Sequence, residues 1–422
     1  MSASYRARDD RGRNQRQGRE AGGGPAAAKV EGVVVNAYSE GWLRKDFPWV
    51  YTEEVVAARV GLRPGDAVAI HTRQGVCLGA GLWDEGKVAV RRFRADDGPI
   101  DAALIGDRLR LALSRRPLPP ATTAWRWVHG ESDDLPGVRL DVWQDHLALS
   151  LDSPSLLPLV DVLLDEASRL HRVDLAWLAW RLPADEIARV EGMPSGLVRG
   201  APERQDEAVE VLEAGMRFRV WPGAGPDVGL FCDMRELRSW LAPHWAGARV
   251  LNLFAHTGAF SVAAAINGAA EVTSVDLSAV WLERLRHNLT LNGLDPAAHP
   301  TVEDDAFRAL DRLRRTGESF DRVVLDPPSF SHGPQGTWSA TQDLGRLVAG
   351  ALRVLRPGGW LVAASNHGGT SPKEFQGHLL DGARKAGRAL SLIHQGSPPP
   401  DFPAALSFPE SRYLKCWVLE AR

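Results

Sequence analysis

A glycine and a carboxylate stand at a spacing that suits a nucleoside. Gly258 lies in the turn His256-Thr257-Gly258-Ala259, after the apolar run Val250–Phe254, and Asp276 follows 18 residues later at the tip of a second apolar run. A glycine in such a turn lets the backbone approach a ligand, and an acid about 20 residues on can accept both ribose hydroxyls. One glycine is not the dinucleotide fingerprint G-x-G-x-x-G, and nothing basic in the turn would hold phosphates. The pattern therefore suits a nucleoside without a pyrophosphate, of which S-adenosylmethionine is the commonest. An ordinary strand–helix unit with no ligand is the other reading of this stretch alone.

Three further groups could do chemistry. Asp305 could accept from an adenine amino group, with Ala306 and Phe307 flanking the ring. Asp233 and Arg235, in GLFCDMRELR, could hold the charged amino-acid end of such a cofactor, or could cap a helix and pair on its surface. Asp326-Pro327-Pro328-Ser329-Phe330 is the most informative set. Two prolines fix φ and remove two N–H groups, so the turn offers carbonyl oxygens and the Asp326 carboxylate as a rigid array of acceptors. That array suits a planar donor such as a nucleobase amino group, with Phe330 available to stack; a tight turn without a ligand is the alternative.

These groups act together only if a sheet brings them to one edge. Val250–Phe254, Glu271–Val275, Phe320–Phe330 and Trp360–Ala364 read as short buried strands, the last ending at Ser365-Asn366-His367, and Thr301–Leu310 as the tip of a further one. Phe260–Ala265, Ala279–Leu291 and Leu344–Leu355 read as the helices between them, and Ala389–His394 and Tyr413–Leu419 as two closing strands. Repeated units of this length predict an α/β, Rossmann-like, doubly wound domain over 223–422, with the strand ends forming one crevice.

Upstream, residues 117–222 read as a small α+β domain containing Trp125, Trp127, Trp143, Trp177 and Trp180, most of them expected in its core. Its last segment, Ala208–Arg219, reads as a hairpin centred on Ala214-Gly215. Residues 29–116 hold short β-like runs between Gly and Pro turns, the pattern of a small β-barrel. Within it Arg91, Arg92 and Arg94 could leave one edge basic, or could be an ordinary strand face. Residues 1–28, rich in Arg, Gly and Gln, cannot offset the entropy of ordering and are expected to be a disordered basic tail, able to grip RNA phosphates or simply solvated.

Composition narrows the class. The 422 residues are 44% hydrophobic and 24% charged, those of a globular protein large enough for two or three cores. The net charge of −3 leaves any nucleic-acid surface local. Cys77, Cys232 and Cys416 are far apart, so no zinc site or disulfide framework can be read and no metal is expected. No apolar run approaches a membrane span and no signal peptide opens the chain, which points to the cytoplasm.

LNLFAHTGAFSVAAA, SVD, DDAF, LDPPSF, GLFCDMRELR and DFPAALSFPESRYLK together resemble the class I S-adenosylmethionine-dependent large-subunit ribosomal RNA methyltransferases typified by a 23S cytosine-5 enzyme. RKDFPWVYTEEV and GLRPGDAVAIHTRQGVCLGAG resemble that family's N-terminal PUA domain, an RNA-binding barrel, and WRWVHGESDDLPGVRLDVW its central α+β domain. The resemblance implies S-adenosylmethionine as cofactor and ribosomal RNA, 23S in particular, as partner, with no membrane and a homodimer open. It implies a cofactor site lined by Phe254, Thr257, Gly258, Asp276, Asp305 and Asp326, to which Phe231, Leu277 and Ala306 are added beside Asp233 and Arg235.

One departure bears on the chemistry. Cytosine-5 methylation needs a cysteine thiolate to add to C6 of the ring, and the resemblance places it just past the fifth strand, where this chain has Ser365-Asn366-His367. Asn366 cannot form that adduct but can hydrogen-bond a base. Direct transfer to a ring nitrogen, an exocyclic amine or a ribose oxygen needs only in-line placement and a base where a proton must leave; His367 is a candidate for that base, in a catalytic set with Asp326, Pro327, Pro328 and Asn366. A noncatalytic RNA-binding or ribosome-assembly factor that keeps the cofactor fold is the alternative.

Overall fold

The computed structural model describes the backbone of residues 32–225, 227–328, 330–333 and 336–422, and the side chains of these outside 330–341. The tail of residues 1–28, Ser329 and the ring of Phe330 lie outside the described set.

The first sheet has six strands, Val33–Val35, Trp49–Tyr51, Val55–Ala58, Ala67–His71, Cys77–Trp83 and Val88–Arg94. Val33, Val35, Val50, Val68, Ile70, Leu78 and Val90 turn inward to one core, as the alternating pattern requires. The expected basic edge is consumed by the fold. Arg91 is buried against Asp84 at 3.3 Å, Arg92 donates to the carbonyls of Leu43 and Leu78, and Arg94 pairs with Asp96. Arg91 and Arg92 satisfy groups the barrel would otherwise strand and Arg94 is tied to an exposed acid, so these three are not a free phosphate-binding row.

The central sheet orders its strands Gly196–Arg199, Leu175–Trp180, His146–Leu151, Val138–Trp143 and Ala124–His129. Trp125, Trp127, Trp143 and Trp177 are buried, while Trp180 is half-buried and donates to the Pro194 carbonyl at 2.9 Å. The helix Ala102–Ser114, inside the block read as barrel, buries Ile105, Leu109 and Ala112 in this second core. The hairpin Val209–Glu213/Met216–Val220, inside the block read as central, buries Val211, Phe218 and Val220 in the core of the third domain. Both elements pack forward along the chain, because the apolar face each carries is covered by the next domain rather than by its own.

The third domain is built on seven strands, numbered β1 (Arg249–Leu253), β2 (Glu271–Asp276), β3 (Thr301–Glu303), β4 (Phe320–Leu325), β5 (Leu355–Ser365), β6 (Leu390–Gly396) and β7 (Lys415–Ala421). Their order is β3-β2-β1-β4-β5-β7-β6. Strands β1 to β5 run parallel and β7 is antiparallel to both β5 and β6. The order reverses between β1 and β4, and a crevice opens at such a switch point outside the strand ends. The helices are α1 (Arg235–Leu241), α2 (Ala259–Ile266), α3 (Ala279–Leu291), α4 (Ala306–Arg315), α5 (Ala340–Val354) and α6 (Pro372–Ala386). Continuous apolar strands such as RVLNL, buried on both faces, need these helices as cover.

Candidate active site

A cleft lies at the switch point, bounded by Gly229, Leu230, Phe231, Arg238, Asn252, Phe254, Ala255, His256, Ala259, Phe260 and Asp326. The loop leaving β1 forms its floor. Phe254 and His256 both have positive φ, 58° and 52°, a conformation non-glycine residues adopt rarely and at a cost. The β2 tip holds that loop in place: Asp276 accepts the His256 N–H at 2.8 Å through one carboxylate oxygen and the Ser278 N–H at 2.9 Å through the other. Each oxygen keeps a lone pair for a further donor.

Gly258 has a packing task beside the one its spacing suggested. Its φ is +82°, and a Cβ built there would run into the Leu285 side chain of α3. Glycine is thus required for α2 to pack against α3. Thr257 is buried beside it, its hydroxyl donating to the Gly229 carbonyl, which ties the β1 loop to the segment before α1.

That segment divides the pair Asp233 and Arg235. Asp233 faces the cleft side and accepts the Tyr413 hydroxyl at 2.6 Å. Arg235, expected to hold a ligand's carboxylate, is instead 1% exposed, ion-paired with Asp401 and donating to the Ala124 carbonyl at 3.2 Å. Its guanidinium is thereby committed to two partners inside the fold. Arg238, one turn later, sits at the cleft wall, held by Glu213 at 2.6 and 2.7 Å and donating to the Phe231 carbonyl. Phe231 is 45% exposed at the cleft mouth and packs on His256.

At the β3 end, Asp305 accepts the N–H groups of Phe307 and Arg308 through one oxygen and caps α4, leaving the other oxygen open. Ala306 is buried and Leu277 is 40% exposed.

Asp326, past β4, lines the cleft opposite these groups, with Pro327 buried and Pro328 exposed behind it. Burial first, and then the negative charge of Asp233, push the Asp326 carboxyl up to about 7 against the opposing pull of Arg238 and His256. Past β5, Asn366 is exposed and His367 half-buried. The His367 ring lies 2.9 Å from the Thr370 hydroxyl, and burial together with the Lys415 charge lowers its pKa.

The cysteines lie elsewhere. Cys232 is buried and burial holds its thiol well above the usual range; Cys416, buried in β7 opposite Ala364, is pushed up to about 12; Cys77 is in the barrel. Thiolates are the reactive form, so none is poised as a nucleophile at the cleft.

Sequence reasoning overlooked four contributors. Asn252 is a buried amide in an otherwise apolar strand, donating to Ser261, and that polar interruption was the available signal. Arg238, Tyr413 and Lys415 lay inside quoted motifs without an assigned task. Among the described residues no helix is long and apolar enough to cross a membrane.

A family model for S-adenosylmethionine-dependent methyltransferases matches residues 197–411, and one for a PUA-like domain matches 33–94. The chain is 31% identical over 405 residues to ribosomal RNA large subunit methyltransferase I of Alteromonas mediterranea, covering 92% of this chain and 98% of that protein. It is 33% identical over 396 residues to a ribosomal RNA large subunit methyltransferase of Deinococcus radiodurans, covering 92% and 96%. The crystal structure of SMU.776, a methyltransferase complexed with SAH, superposes with a TM-score of 0.81 over 92% of this chain and 99% of that one; at 23% identity the likeness is one of fold.

Proposed function

Because the chain belongs to the family of ribosomal RNA large subunit methyltransferases and carries an S-adenosylmethionine-dependent methyltransferase domain, we propose that it methylates a nucleobase nitrogen of 23S ribosomal RNA by direct transfer, with Asp326 taking the displaced proton. The carrying observation is the contrast at the cleft: a carboxyl with a pKa of about 7 lines it, while the Cys232 and Cys416 thiols are buried and pushed up and Cys77 lies in the barrel.

The residues present suit the cofactor. The walls Leu230, Phe231, Phe254 and Phe260 are apolar, and the acids Asp233 and Asp326 suit a ligand bearing a sulfonium and an ammonium. Asp276 would take the ribose hydroxyls, Asp305, Leu277 and Ala306 the adenine, and Asp233 the ammonium, with Thr257 and Gly258 shaping the loop beneath. When bound, S-adenosylmethionine supplies a methyl group activated by its sulfonium.

The target base would lie over Asp326, Pro327 and Pro328, its N–H donating to that acceptor array and to Asn366. As the nitrogen lone pair forms the N–CH3 bond and the S–CH3 bond breaks, the N–H proton passes to the Asp326 carboxylate. A base whose pKa lies near the working pH is the efficient one. His367, held neutral at pH 7 by burial and Lys415, would relay that proton onward. The barrel would grip the RNA, and one chain supplies every group named. Ribosomal RNA as substrate places the reaction in the cytoplasm.

Mass spectrometry of digested 23S RNA from wild-type and deletion strains tests the reading. The expected difference is one nucleoside methylated on nitrogen, missing from the deletion strain. Loss of 5-methylcytosine instead would overturn direct transfer. No lost methylation, together with tight RNA binding, would favour an assembly factor.

A further inference from the structure

One face of the central sheet is covered by its own helices. Leu147, Leu149, Leu151, Ala176 and Leu178 point into the core shared with the helices Ala102–Ser114 and Val160–Leu170. On the other face of the parallel pair His146–Leu151 and Leu175–Trp180, Ala148 lies opposite Trp177 and Ser150 opposite Ala179. A groove of about 370 Å³ opens over these four, walled by the loop Pro222–Gly225 and rimmed by Ser195. A Cβ on Gly223 would run into the Gln205 carbonyl and the Trp177 indole nitrogen, so the wall is bare backbone pressed against the sheet. The Ser150 and Ser195 hydroxyls make no hydrogen bond among the described residues.

The same strand carries a cation to the end of the groove. Trp177, Ala179 and Arg181 alternate onto one face, and the Arg181 N–H still donates to the Leu151 carbonyl at 2.8 Å, so its side chain leaves the sheet about 7 Å past Ala179. Arg181 is exposed, and its guanidinium makes no hydrogen bond or ion pair among the described residues, whereas Arg139 is paired with Asp152 and Arg126 with Asp141. The positive charge of Arg139 presses the Arg181 pKa down to about 10 against the pull of Asp152 and Asp141. An anion beside Arg181 relieves that repulsion. The groove also adjoins the cleft: the segment whose Pro222–Gly225 walls the one supplies Gly229, Leu230 and Phe231 to the other, with Asp227 between them 3.0 Å from the His256 ring. Four residues of chain separate Gly225 from Gly229, a span of at most ~14 Å.

Resting on RNA as the substrate, we propose that this groove holds a nucleotide of the single strand flanking the target, with its phosphate on Arg181, its base over the floor of Ala148, Ser150 and Ala179, and its polar edge on Ser150 and Ser195. Small side chains leave room for a planar ring, and unstacked bases of single strands are what such pockets in RNA-binding proteins take. Hydroxyls both donate and accept, so the site tolerates any base. Its task is to fix where the strand enters the cleft.

The test is filter binding of the full-length protein to deproteinised 23S RNA from a deletion strain over a series of potassium chloride concentrations, with methyl-transfer kinetics alongside. Arg181→Ala lowers the slope of log Kd against log salt by about 0.7, the loss of one phosphate contact on a single strand, and raises KM for RNA with kcat unchanged. Arg384→Ala, which removes an exposed charge on α6, leaves the slope at its wild-type value. Ser195→Trp fills the groove from its exposed rim and weakens RNA binding about tenfold, the scale of one lost base contact, while S-adenosylmethionine binding and Tm stay unchanged. A slope in Arg181→Ala equal to that of Arg384→Ala, or wild-type RNA affinity in Ser195→Trp, would overturn the proposal and leave the groove to a small molecule or to no ligand. RNA binding without methyl transfer by the wild type would overturn the proposed function alone, and a wild type that binds no RNA would overturn the substrate on which both rest.

Discussion

Asp401, at a seam between domains, and Asp326, at the cleft, are two acids with opposite fates. Asp401 is 1% exposed, and its two oxygens are taken by Arg235 and by the Arg126 N–H. Asp326 has no hydrogen-bonded guanidinium among the described residues; burial first, and then the charge of Asp233, outweigh the pull of Arg238 and His256 and push it up to about 7. The hydrogen-bonded partner makes the difference: a carboxylate paired with a guanidinium holds domains together, and one whose charge is less fully compensated keeps the capacity to move a proton.

The largest effect is expected where that capacity is removed. Asp326→Asn keeps the shape and the amide can still accept from a base, but transfer of labelled methyl to RNA from a deletion strain should fall by about 10²–10⁴, with S-adenosylmethionine binding retained. A rate within tenfold of wild type would erase the contrast between the two acids. Asp401→Ala should instead leave activity limited by folding, since Arg235 is stranded in the interior; chemical denaturation should show a loss of about 3–5 kcal/mol.

Gly258→Ala should cost about 1–3 kcal/mol in the same measurement, because a positive φ and the Leu285 contact both oppose a side chain. The pH dependence of Asp326 separates function from stability. Its folded pKa lies above the ordinary carboxylate value, so the protonated form favours folding; that stability is full below about pH 4, and is lost as pH rises through about 7. Activity should therefore rise through pH 7 as stability falls, and Asp326→Asn should raise Tm more at pH 8 than at pH 5. Smallest of all, Cys416→Ala should leave the rate of methyl transfer unchanged; abolished transfer would restore a thiol to the mechanism.

Much of the third domain was legible because its signals are local. Glu271–Asp276 and Ala279–Leu291 form where their apolar spacing places them, and an acid at a strand tip followed by a helix needs no distant partner. The helices Ala102–Ser114 and Pro372–Ala386 drew no expectation of their own. Their amphipathic patterns are read most securely beside the core they cover, and those cores belong to other segments. The barrel arginines misled because charge on a strand looks solvated until Asp84 and the carbonyls of Leu43 and Leu78 come into reach.

From sequence alone came the doubly wound domain and the acids at the tips of β2 and β4, since residue type and period are properties of the chain itself; the meaning of Asn366 came from the resemblance. Only the tertiary structure decided which charges are free. Arg235 and Asp233 are two residues apart, yet one is sealed by Asp401, 166 residues on, and the other is held by Tyr413, 180 residues on. Whether a charge is compensated depends on such distant neighbours, because electrostatic energy falls with separation in space and is blind to separation along the chain.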